Sequence, residues 1–316
     1  MEYDEIRVLA PAKLNLSLEL LGKRADGYHE LATHLLAFDR CDELVLRATR
    51  DTEPTVRTPR VTFRLDATDP DVPRDESNLA VRALGLVVEA ALEQGAKPGL
   101  RYELELRKIL PSGAGLGGGS ADAAAAYFAA TKLFGLDPDD TGLLAQLATL
   151  GSDIPFFVRA RESGFGLATG RGECVEALPV PDGLWFAVVT PELHVKTVEV
   201  YANVTPPFRA RAGFDLDAFE KATLEERRAY LRNDLEAPAL RAAPLLEAWF
   251  ELLRETPGDS WRLAGSGSSF FALFAGESEA QEALEVVRAK RAARDFVTIF
   301  ECVARPAGHG VRLLTQ

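Results

Sequence analysis

Alternating apolar and polar positions predict several β-strands in the N-terminal part of the chain. Residues 5–21 alternate in this way, with an interruption at Pro11-Ala12-Lys13. Further short strands are predicted over Asp42–Arg50, Val61–Leu65 and Leu100–Leu106. A period of two is typical of a strand with one buried face, because successive side chains point to opposite faces of a sheet.

Helical spacing of apolar residues appears next along the chain. An amphipathic helix is predicted over Leu79–Glu93 with Ser77 as its N-cap, after two loops over residues 51–60 and 68–76 that contain several prolines. Two more helices are predicted after a glycine-rich segment, the second of them ending near residue 150. Gly151–Phe157 is then expected to form a tight loop that enters a strand.

Short strands and helices alternate in the C-terminal half. Thr223-Leu-Glu-Glu226 has the form of a capping box and predicts the start of a helix. Alternation without long parallel units predicts an α+β sandwich. The other elements expected here are strands over Leu184–Thr190, Trp261–Leu263, Phe270–Phe274 and Asp295–Ala304, and helices over Pro244–Glu255 and Ser278–Arg291.

The glycine-rich segment lies between the predicted strand at Leu100–Leu106 and an Ala-rich helix. Glycine permits a positive φ and lets a bulky anion approach the backbone amides. The start of the following helix presents unpaired N–H groups and the positive end of the helix dipole. The segment therefore predicts a phosphate-binding loop. Its five glycines are Gly113, Gly115, Gly117, Gly118 and Gly119.

Three other interpretations of this segment are weaker. A Walker loop requires Gly-Lys-Ser/Thr, whereas the one Gly-Lys pair, Gly22-Lys23, is followed by Arg24. The spacing Gly113-x-Gly115-x-x-Gly118 matches a dinucleotide fingerprint, but Leu133–Pro138 closes the helix and a second helix follows in place of a strand. A dehydrogenase is therefore disfavoured. A turn without a ligand would need only one or two glycines.

Composition limits the compartment and the partners. A chain of 316 residues can bury a large core and favours two domains, and its content of 47% hydrophobic and 27% charged residues is typical of a soluble globular protein. The net charge of −12, without a block of Lys and Arg, argues against nucleic acid or an anionic membrane as partner.

The cysteines and histidines indicate the compartment and the absence of a zinc site. Three distant cysteines without a Cys-x-x-Cys motif, and four histidines without metal spacing, predict a reducing compartment and neither a disulfide scaffold nor a zinc site. The N-terminus is too polar for a signal peptide, and no apolar run reaches membrane-spanning length. We therefore expect a cytoplasmic protein.

Four segments together resemble the conserved blocks of the GHMP small-molecule kinases. They are Pro11–Leu16, Gly22–Leu31, the glycine-rich segment and Gly265-Ser-Gly-Ser. The resemblance implies an ATP-dependent kinase with the two-domain GHMP fold and the active site in the cleft between the domains. The N-terminal domain, of ribosomal-protein-S5-like type, would cover residues 1–165, and a C-terminal ferredoxin-like α/β sandwich would cover residues 166–316.

Two motifs resemble one branch of that superfamily in particular. They are Gly-Lys-Arg-x-Asp-Gly-Tyr-His at residues 22–29 and Gly-x-Asp-x-Pro-Phe-Phe at residues 151–157. This branch phosphorylates a methylerythritol that carries a cytidine diphosphate, in the non-mevalonate isoprenoid route. Two alternatives remain open: a GHMP kinase that acts on mevalonate, homoserine or a sugar, and a nucleotide-binding protein that has lost catalysis.

The resemblance also assigns the catalytic pair. Asp153 would accept the proton of the substrate hydroxyl, and Lys13 would pair with that carboxylate and stabilise charge near the γ-phosphate of ATP. Taken singly, each residue has an ordinary alternative. Asp153 could be a turn or N-cap residue, and Lys13 a solvated charge at the end of a strand.

The remaining site residues are carried over from the family pattern in the same way. Candidate contacts to the substrate are Asn15, Tyr28, His29, Thr197 and Tyr201, of which the two tyrosines would stack on cytosine and His29 would hydrogen-bond it. The third-motif loop contributes Gly265, Ser266 and Gly267. The candidate ATP-binding residues are Asn78, Lys108, Pro111, Ser112, Gly113, Ala114, Gly115, Leu116, Gly117, Gly118, Gly119 and Ser120.

Two positions depart from the family pattern, and the metal is only implied. Ala121 stands where most relatives have a second serine, and Ala264 stands where a threonine is usual. Mg²⁺ is implied because ATP is used as its complex, but no carboxylate cluster in the sequence identifies a metal site on the protein. The sequence is compatible with a monomer or a homodimer.

Overall fold

The computed structural model describes residues 4–50, 60–66, 72–96, 100–209, 213–258 and 260–314. Most of the two loops predicted over 51–60 and 68–76 therefore lies outside the described residues. The strands are β1 Asp4–Lys23, β2 His29–Arg50, β3 Arg60–Asp66, β4 Leu100–Arg107, β5 Phe165–Gly170, β6 Cys174–Ala177, β7 Trp185–Pro191, β8 Arg232–Asn233, β9 Arg262–Leu263, β10 Phe270–Phe274, β11 Thr298–Ala304 and β12 Arg312–Leu313.

Ten helices are present in these described ranges, and they confirm the predicted α+β class. They are α1 Leu79–Glu93, α2 Gly118–Phe134, α3 Thr141–Leu150, α4 Ile154–Arg159, α5 Thr197–Ala202, α6 Leu216–Lys221, α7 Leu224–Tyr230, α8 Glu236–Ala242, α9 Leu245–Arg254 and α10 Glu277–Ala292. Within the same ranges, no helix combines the length and the apolar character needed to cross a bilayer.

The larger sheet is built around the long antiparallel pair β1–β2. Its strand order is β12-β1-β2-β4-β3, with β5 and β6 continuing from β2 and with β8 parallel to β1. Helix α2 packs against β1 and β2 of this sheet, and α1 packs on α2. The buried face of α2 is nearly all alanine, which allows close approach. The core formed there includes Leu44, Leu46, Leu104, Tyr127 and Phe156.

The smaller sheet has the order β11-β7-β10-β9, all antiparallel. Helices α9 and α10 cover it through a core that includes Trp249, Phe250 and Leu284. The two sheets meet through a further cluster, in which Leu14 and Leu16 of β1 pack with side chains of β7 and β10. The predicted domain boundary at residue 165 stays a prediction; β5 begins at that residue and pairs with β2.

The predicted break at Pro11-Ala12-Lys13 is wrong, because β1 continues through it. The register with β2 shifts between Pro11 and Ala12, and again between Asn15 and Ser17. A bulge adds one residue to a strand and so changes which side chains face which way. As a result Lys13, Asn15 and, after the second bulge, Leu18 all line the same cavity.

Two local predictions are also corrected. The N-cap of α1 is Asn78, not Ser77, since the Asn78 side chain accepts a hydrogen bond from the amide of Ala80. Residues after Gly151 form the short helix α4 instead of entering a strand, because Pro155 near its first position and five consecutive buried residues suit a buried helical turn as well as a strand. By contrast, the capping box at Thr223 and Glu226 is present as predicted.

Candidate active site

A cavity of about 530 Å³ lies where the glycine-rich segment meets β1, the start of α4, the β5–β6 turn and the loop before β10. Both catalytic candidates, Lys13 and Asp153, line it. The other predicted site residues in its wall are Asn15, Pro111, Gly113, Ala114, Gly115, Gly117, Gly118, Gly119, Ser120, Thr197, Tyr201, Gly265 and Ser266.

Lys13 and Asp153 form an ion pair in this cavity, with 3.5 Å between Nζ and Oδ2. The Lys13 side chain is 5% exposed, whereas that of Asp153 is 33% exposed. Asp153 occupies the N-cap position of α4 but makes no side-chain capping bond, so its carboxylate is not used to satisfy the helix. The N-cap alternative for Asp153 therefore has no hydrogen bond to support it, and the carboxylate is open to a ligand in the cavity.

The backbone fixes Lys13 against the glycine-rich segment. Its amide donates to the carbonyl of Leu116 at 2.8 Å. Gly117 has φ of +75°, and a Cβ there would lie 2.8 Å from Cγ of Lys13. Any larger residue at 117 would have a strained backbone and would displace the lysine. Glycine is therefore required here both for its positive φ and for the space that Lys13 occupies. Leu116 itself is buried and faces the core.

A hydrogen-bond relay runs from the ion pair into β2. Lys13 Nζ donates to Asn15 Oδ1 at 2.8 Å, and Asn15 Nδ2 donates to Thr33 Oγ1 at 2.9 Å. The Thr33 hydroxyl donates in turn to the carbonyl of Ser17 at 2.6 Å. Thr33 was not found from the sequence, because β2 is buried on both faces between Leu31 and Phe38 and gives no alternating pattern.

The glycine-rich segment has the geometry of an anion-binding loop. Gly113, Gly115 and Gly117 all adopt positive φ, and α2 begins immediately afterwards without a side-chain cap on its first turn. A Cβ on Gly115 would overlap the carbonyl oxygen of Ala264, so the third-motif loop also requires glycine there. The free amides at the start of α2, next to glycines that leave the backbone accessible, fit the phosphates of a nucleotide.

Lys108 lies beneath this loop and outside the wall of the cavity. Its Nζ is 2.6 Å from Oδ2 of Asp42 and 2.6 Å from Oδ2 of Asp122, and all three side chains are almost completely buried. Burial alone would lower the pKa of Lys108, but the two carboxylates raise it, so the ammonium stays charged. Asp42 Oδ1 also accepts the amides of Ile109 and Leu110. The cluster therefore anchors the strand end that leads into the loop.

Asn78 also lies beside the cavity wall instead of in it. Its Oδ1 caps α1, and its Nδ2 donates to the carbonyl of Pro73 at 2.9 Å. The next residue, Leu79, does line the cavity. The contacts of Asn78 and Lys108 with a nucleotide stay predictions, as does that of Ser112.

Aromatic side chains gather beside one end of the cavity, where Tyr201 lines the wall and the predicted contacts Tyr28 and His29 lie outside it. The His29 ring stacks on Tyr201 with centroids 5.4 Å apart and planes at 28°, and Phe208 packs on His29 at 6.0 Å. Burial and the charge of Lys23 lower the pKa of His29, which favours a neutral ring with one donor and one acceptor nitrogen. Burial, with a contribution from Asp153, raises the pKa of Tyr201.

Arg171 connects this aromatic end to the catalytic pair. Its guanidinium lies over the Tyr28 ring at 4.8 Å, and it also lines the cavity. The neighbouring Gly172 lies close to Asp153, since a Cβ on it would be 3.7 Å from Oδ1. Arg171 and Lys196 both line the cavity and supply the local positive charge that an acidic protein needs in order to bind phosphates, and His194 lies in the same wall. The sequence did not single out Arg171 or His194, because each lies in a turn without a motif of its own.

Hydrogen bonds hold the third-motif loop to the glycine-rich segment, to Asn233 and to the start of α5. The amide of Ser269 donates to the carbonyl of Ala114 at 3.0 Å. Asn233 Nδ2 donates to the carbonyls of Leu263 and Gly265 at 2.8 and 2.7 Å. The hydroxyls of Thr197 and Ser266 lie 2.8 Å apart, which joins the start of α5 to this loop. Gly267 lies just behind the wall, against Leu263.

A protein-held metal centre is not visible in the part of the chain that the structure describes. No group of three or more His, Cys, Asp and Glu side chains there is placed to hold a metal ion. Three acidic groups near the loop have a lysine partner: Asp42 and Asp122 are paired with Lys108, and Asp153 is paired with Lys13.

Two family models match the chain. Residues 78–161 match the GHMP kinases N terminal domain, and residues 214–293 match the GHMP kinases C terminal domain.

Curated relatives match over most of their length. A protein of Geobacter sp. (strain M21) is 34% identical over 91% of this chain and 96% of its own length. One from Citrifermentans bemidjiense is 35% identical over 90% of this chain and 96% of its own length. Both are named 4-diphosphocytidyl-2-C-methyl-D-erythritol kinase.

Solved structures match as well. A crystal structure of 4-(cytidine 5'-diphospho)-2C-methyl-D-erythritol kinase is 33% identical, with a TM-score of 0.71, over 94% of this chain and 98% of that one. Homoserine kinase from Cytophaga hutchinsonii is 20% identical with a TM-score of 0.70, over 98% of both chains. The latter match shows a shared fold alone.

Proposed function

Because the chain belongs to the 4-diphosphocytidyl-2-C-methyl-D-erythritol kinase family of the GHMP kinases, we propose that it phosphorylates the 2-hydroxyl of 4-diphosphocytidyl-2-C-methyl-D-erythritol. The predicted GHMP fold is confirmed, and the chain is a phosphotransferase that uses ATP and acts on an alcohol group of a small molecule. The proposed products are the 2-phosphate and ADP, in the non-mevalonate route to isoprenoid precursors.

The observation that carries the proposal is the Lys13–Asp153 pair opposite the glycine-rich loop in one cavity. Phosphoryl transfer requires an acceptor hydroxyl in line with the leaving group and charge stabilisation on the phosphoryl oxygens. Asp153 would accept the proton of the 2-hydroxyl. The Lys13 ammonium, which is hydrogen-bonded to Asn15, would stabilise the negative charge on the phosphoryl group during its transfer from ATP to the acceptor.

The phosphates of ATP would lie on the glycine-rich loop, against the amides at the start of α2. Ser120 and the third-motif loop would border the same phosphates from either side. Mg²⁺ would enter with the nucleotide and neutralise phosphate charge, since the described residues offer it no carboxylate cluster. The protein's own contribution is the backbone amides and Lys13.

The cytidine would bind at the aromatic end of the cavity. Its base would stack between Tyr28 and Tyr201, and His29, whose ring packs on Tyr201, would hydrogen-bond it. Arg171 lies between this end and Asp153, where the diphosphate of the acceptor must pass, and would pair with it. Asn15 and Thr197 would contact the methylerythritol portion. A mevalonate or homoserine acceptor has no base to fill the aromatic end.

The acceptor is tested by ADP release from Mg-ATP with purified protein. We expect turnover with the cytidylyl acceptor and background rates with mevalonate, homoserine and galactose. Turnover only with a non-cytidylyl acceptor would show that the substrate assignment is wrong. ATP binding without turnover on any acceptor would favour a protein that has lost catalysis.

The catalytic pair is tested with Asp153→Asn. We expect kcat to fall by at least 100-fold, because general-base catalysis contributes roughly 10²–10⁴-fold, while ATP binding is retained. Asp217→Asn, at an exposed acidic position in α6, is the control and should keep the wild-type kcat. A near-normal kcat for Asp153→Asn would remove this residue from proton transfer.

The cellular setting is proposed from composition. The dispersed cysteines support a cytoplasmic protein, and the acidic net charge supports the absence of nucleic acid or membrane partners. A monomer and a homodimer are both compatible with the sequence.

A further inference from the structure

We propose that Thr33 is a positioning residue for phosphoryl transfer. Its hydroxyl fixes which way the amide of Asn15 points, and through that amide it aims the ammonium of Lys13 at Asp153. The proposal rests on the proposed function, because it concerns the catalytic pair of that reaction.

The direction of each hydrogen bond in the relay follows from the number of protons available. A hydroxyl has one proton to donate, and that of Thr33 is 2.6 Å from the carbonyl of Ser17, which can only accept. The Thr33 oxygen must therefore accept its other bond, from Asn15 at 2.9 Å. Only the NH₂ of an amide can donate, so the relay turns Asn15 Oδ1 towards Lys13.

This orientation matters because the two ends of an amide have opposite effects on an ammonium. Asn15 Oδ1 accepts from Lys13 Nζ at 2.8 Å, and the same Nζ is 3.5 Å from the Asp153 carboxylate. A flipped amide would present its NH₂ to the ammonium and would drive Nζ away from its place. Asn15 is 4% exposed and Thr33 is 3% exposed, so water does not readily replace the lost bond.

The fold explains why a threonine on β2 reaches this carbonyl. Thr33 pairs with Leu18 across the sheet, one step beyond the bulge that separates Asn15 from Ser17. The bulge disturbs the ladder at that point, and the Thr33 side chain satisfies the carbonyl of Ser17. The same bulge brings Asn15 and Thr33 onto the cavity side of the two strands.

The test compares Thr33→Val, which keeps the shape and removes the hydroxyl, with Thr33→Ser, which keeps the hydroxyl. We expect Thr33→Val to lower kcat by about 10- to 100-fold, since small misplacements of a catalytic group cost up to about 10²-fold. KM for ATP should stay within about twofold, and Thr33→Ser should restore kcat to within about threefold of wild type. An unchanged kcat in Thr33→Val, or a Thr33→Ser as slow as Thr33→Val, overturns the proposal.

Two further variants separate positioning from a general loss of packing. Thr131→Val removes a buried threonine hydroxyl that donates to the carbonyl of Phe128 in α2, outside the cavity wall, and it should lower stability without lowering kcat. In an Asn15→Ala background, Thr33→Val should have no further effect on kcat, because the relay is already cut. An equal loss in both backgrounds would show that Thr33 acts by another route. Absence of wild-type turnover on the cytidylyl acceptor would instead reject the proposed function.

Discussion

Tyr28 is 56% exposed, and one face of its ring carries the guanidinium of Arg171. A nucleobase that stacks on the ring gains roughly 1–3 kcal/mol. Tyr28→Ala should therefore raise KM for the cytidylyl acceptor by about 5- to 150-fold, while KM for ATP stays within twofold. Tyr28→Phe keeps the stacking face and serves as the control in steady-state assays. An unchanged acceptor KM in Tyr28→Ala would place the base elsewhere.

Single residues with distinctive chemistry could be predicted from the sequence, and their partners could not. Lys13 and Asp153 were located by motif, and they meet in the cavity. Thr33 and Arg171 were missed because their importance comes from neighbours across a sheet or a turn, which spacing along the chain does not reveal. Lys108 shows the reverse: the residue was singled out, but its two buried carboxylate partners were not.

The start of α1 shows how one element is stabilised next to the site. Asn78→Ala removes the bond to the amide of Ala80 and should lower the free energy of unfolding by about 1 kcal/mol, as other N-cap losses do. Ser77→Ala, whose hydroxyl bonds only the exposed Asp75 among the described residues, should cost less than about 0.5 kcal/mol. Denaturant titration of the three proteins gives both values. A larger loss of unfolding free energy in Ser77→Ala than in Asn78→Ala would assign the N-cap to Ser77.

At the scale of elements, prediction succeeded where local chemistry decides and failed where burial decides. The capping box at Thr223 and the glycine-rich entry to α2 depend on neighbouring residues, and both are observed. Residues 31–38 of β2 and residues 154–158 of α4 are all buried, so these runs carry no period that separates strand from helix. Their type is set by packing against α2 and the larger sheet.

The whole molecule brings together segments that are far apart in sequence. Asn233 hydrogen-bonds the carbonyl of Gly265 in the third-motif loop. That loop packs closely against the glycine-rich segment, and the glycine-rich segment accepts a hydrogen bond from the amide of Lys13. The motifs predicted the glycine-rich segment, the loop at Gly265 and Lys13, but not the contacts among them. The cavity therefore depends on the two sheets packing through their shared core, and global stability supports the site.

His34 makes that stability dependent on pH. Burial, with a contribution from Arg232, lowers its pKa from 6.5 to about 4, and the neutral ring bonds Ser17 and packs on Phe214. A depressed pKa gives stability that is present above pH 6.5 and lost as the pH falls towards 4. This group should therefore remove about 2–3 kcal/mol of unfolding free energy between pH 7 and pH 4.5.

His34→Gln keeps a hydrogen-bonding amide without the titration, so it isolates this contribution from that of the carboxylates. Urea unfolding of both proteins at pH 7 and pH 4.5 should show the wild type losing about 2–3 kcal/mol more than the variant on acidification. Protonation of His34 would add a positive charge close to Phe214 and Arg232, and neither of these side chains can accept a hydrogen bond from the charged ring. Parallel losses in the two proteins would mean that folding does not lower the pKa of His34, and that this group does not make stability depend on pH.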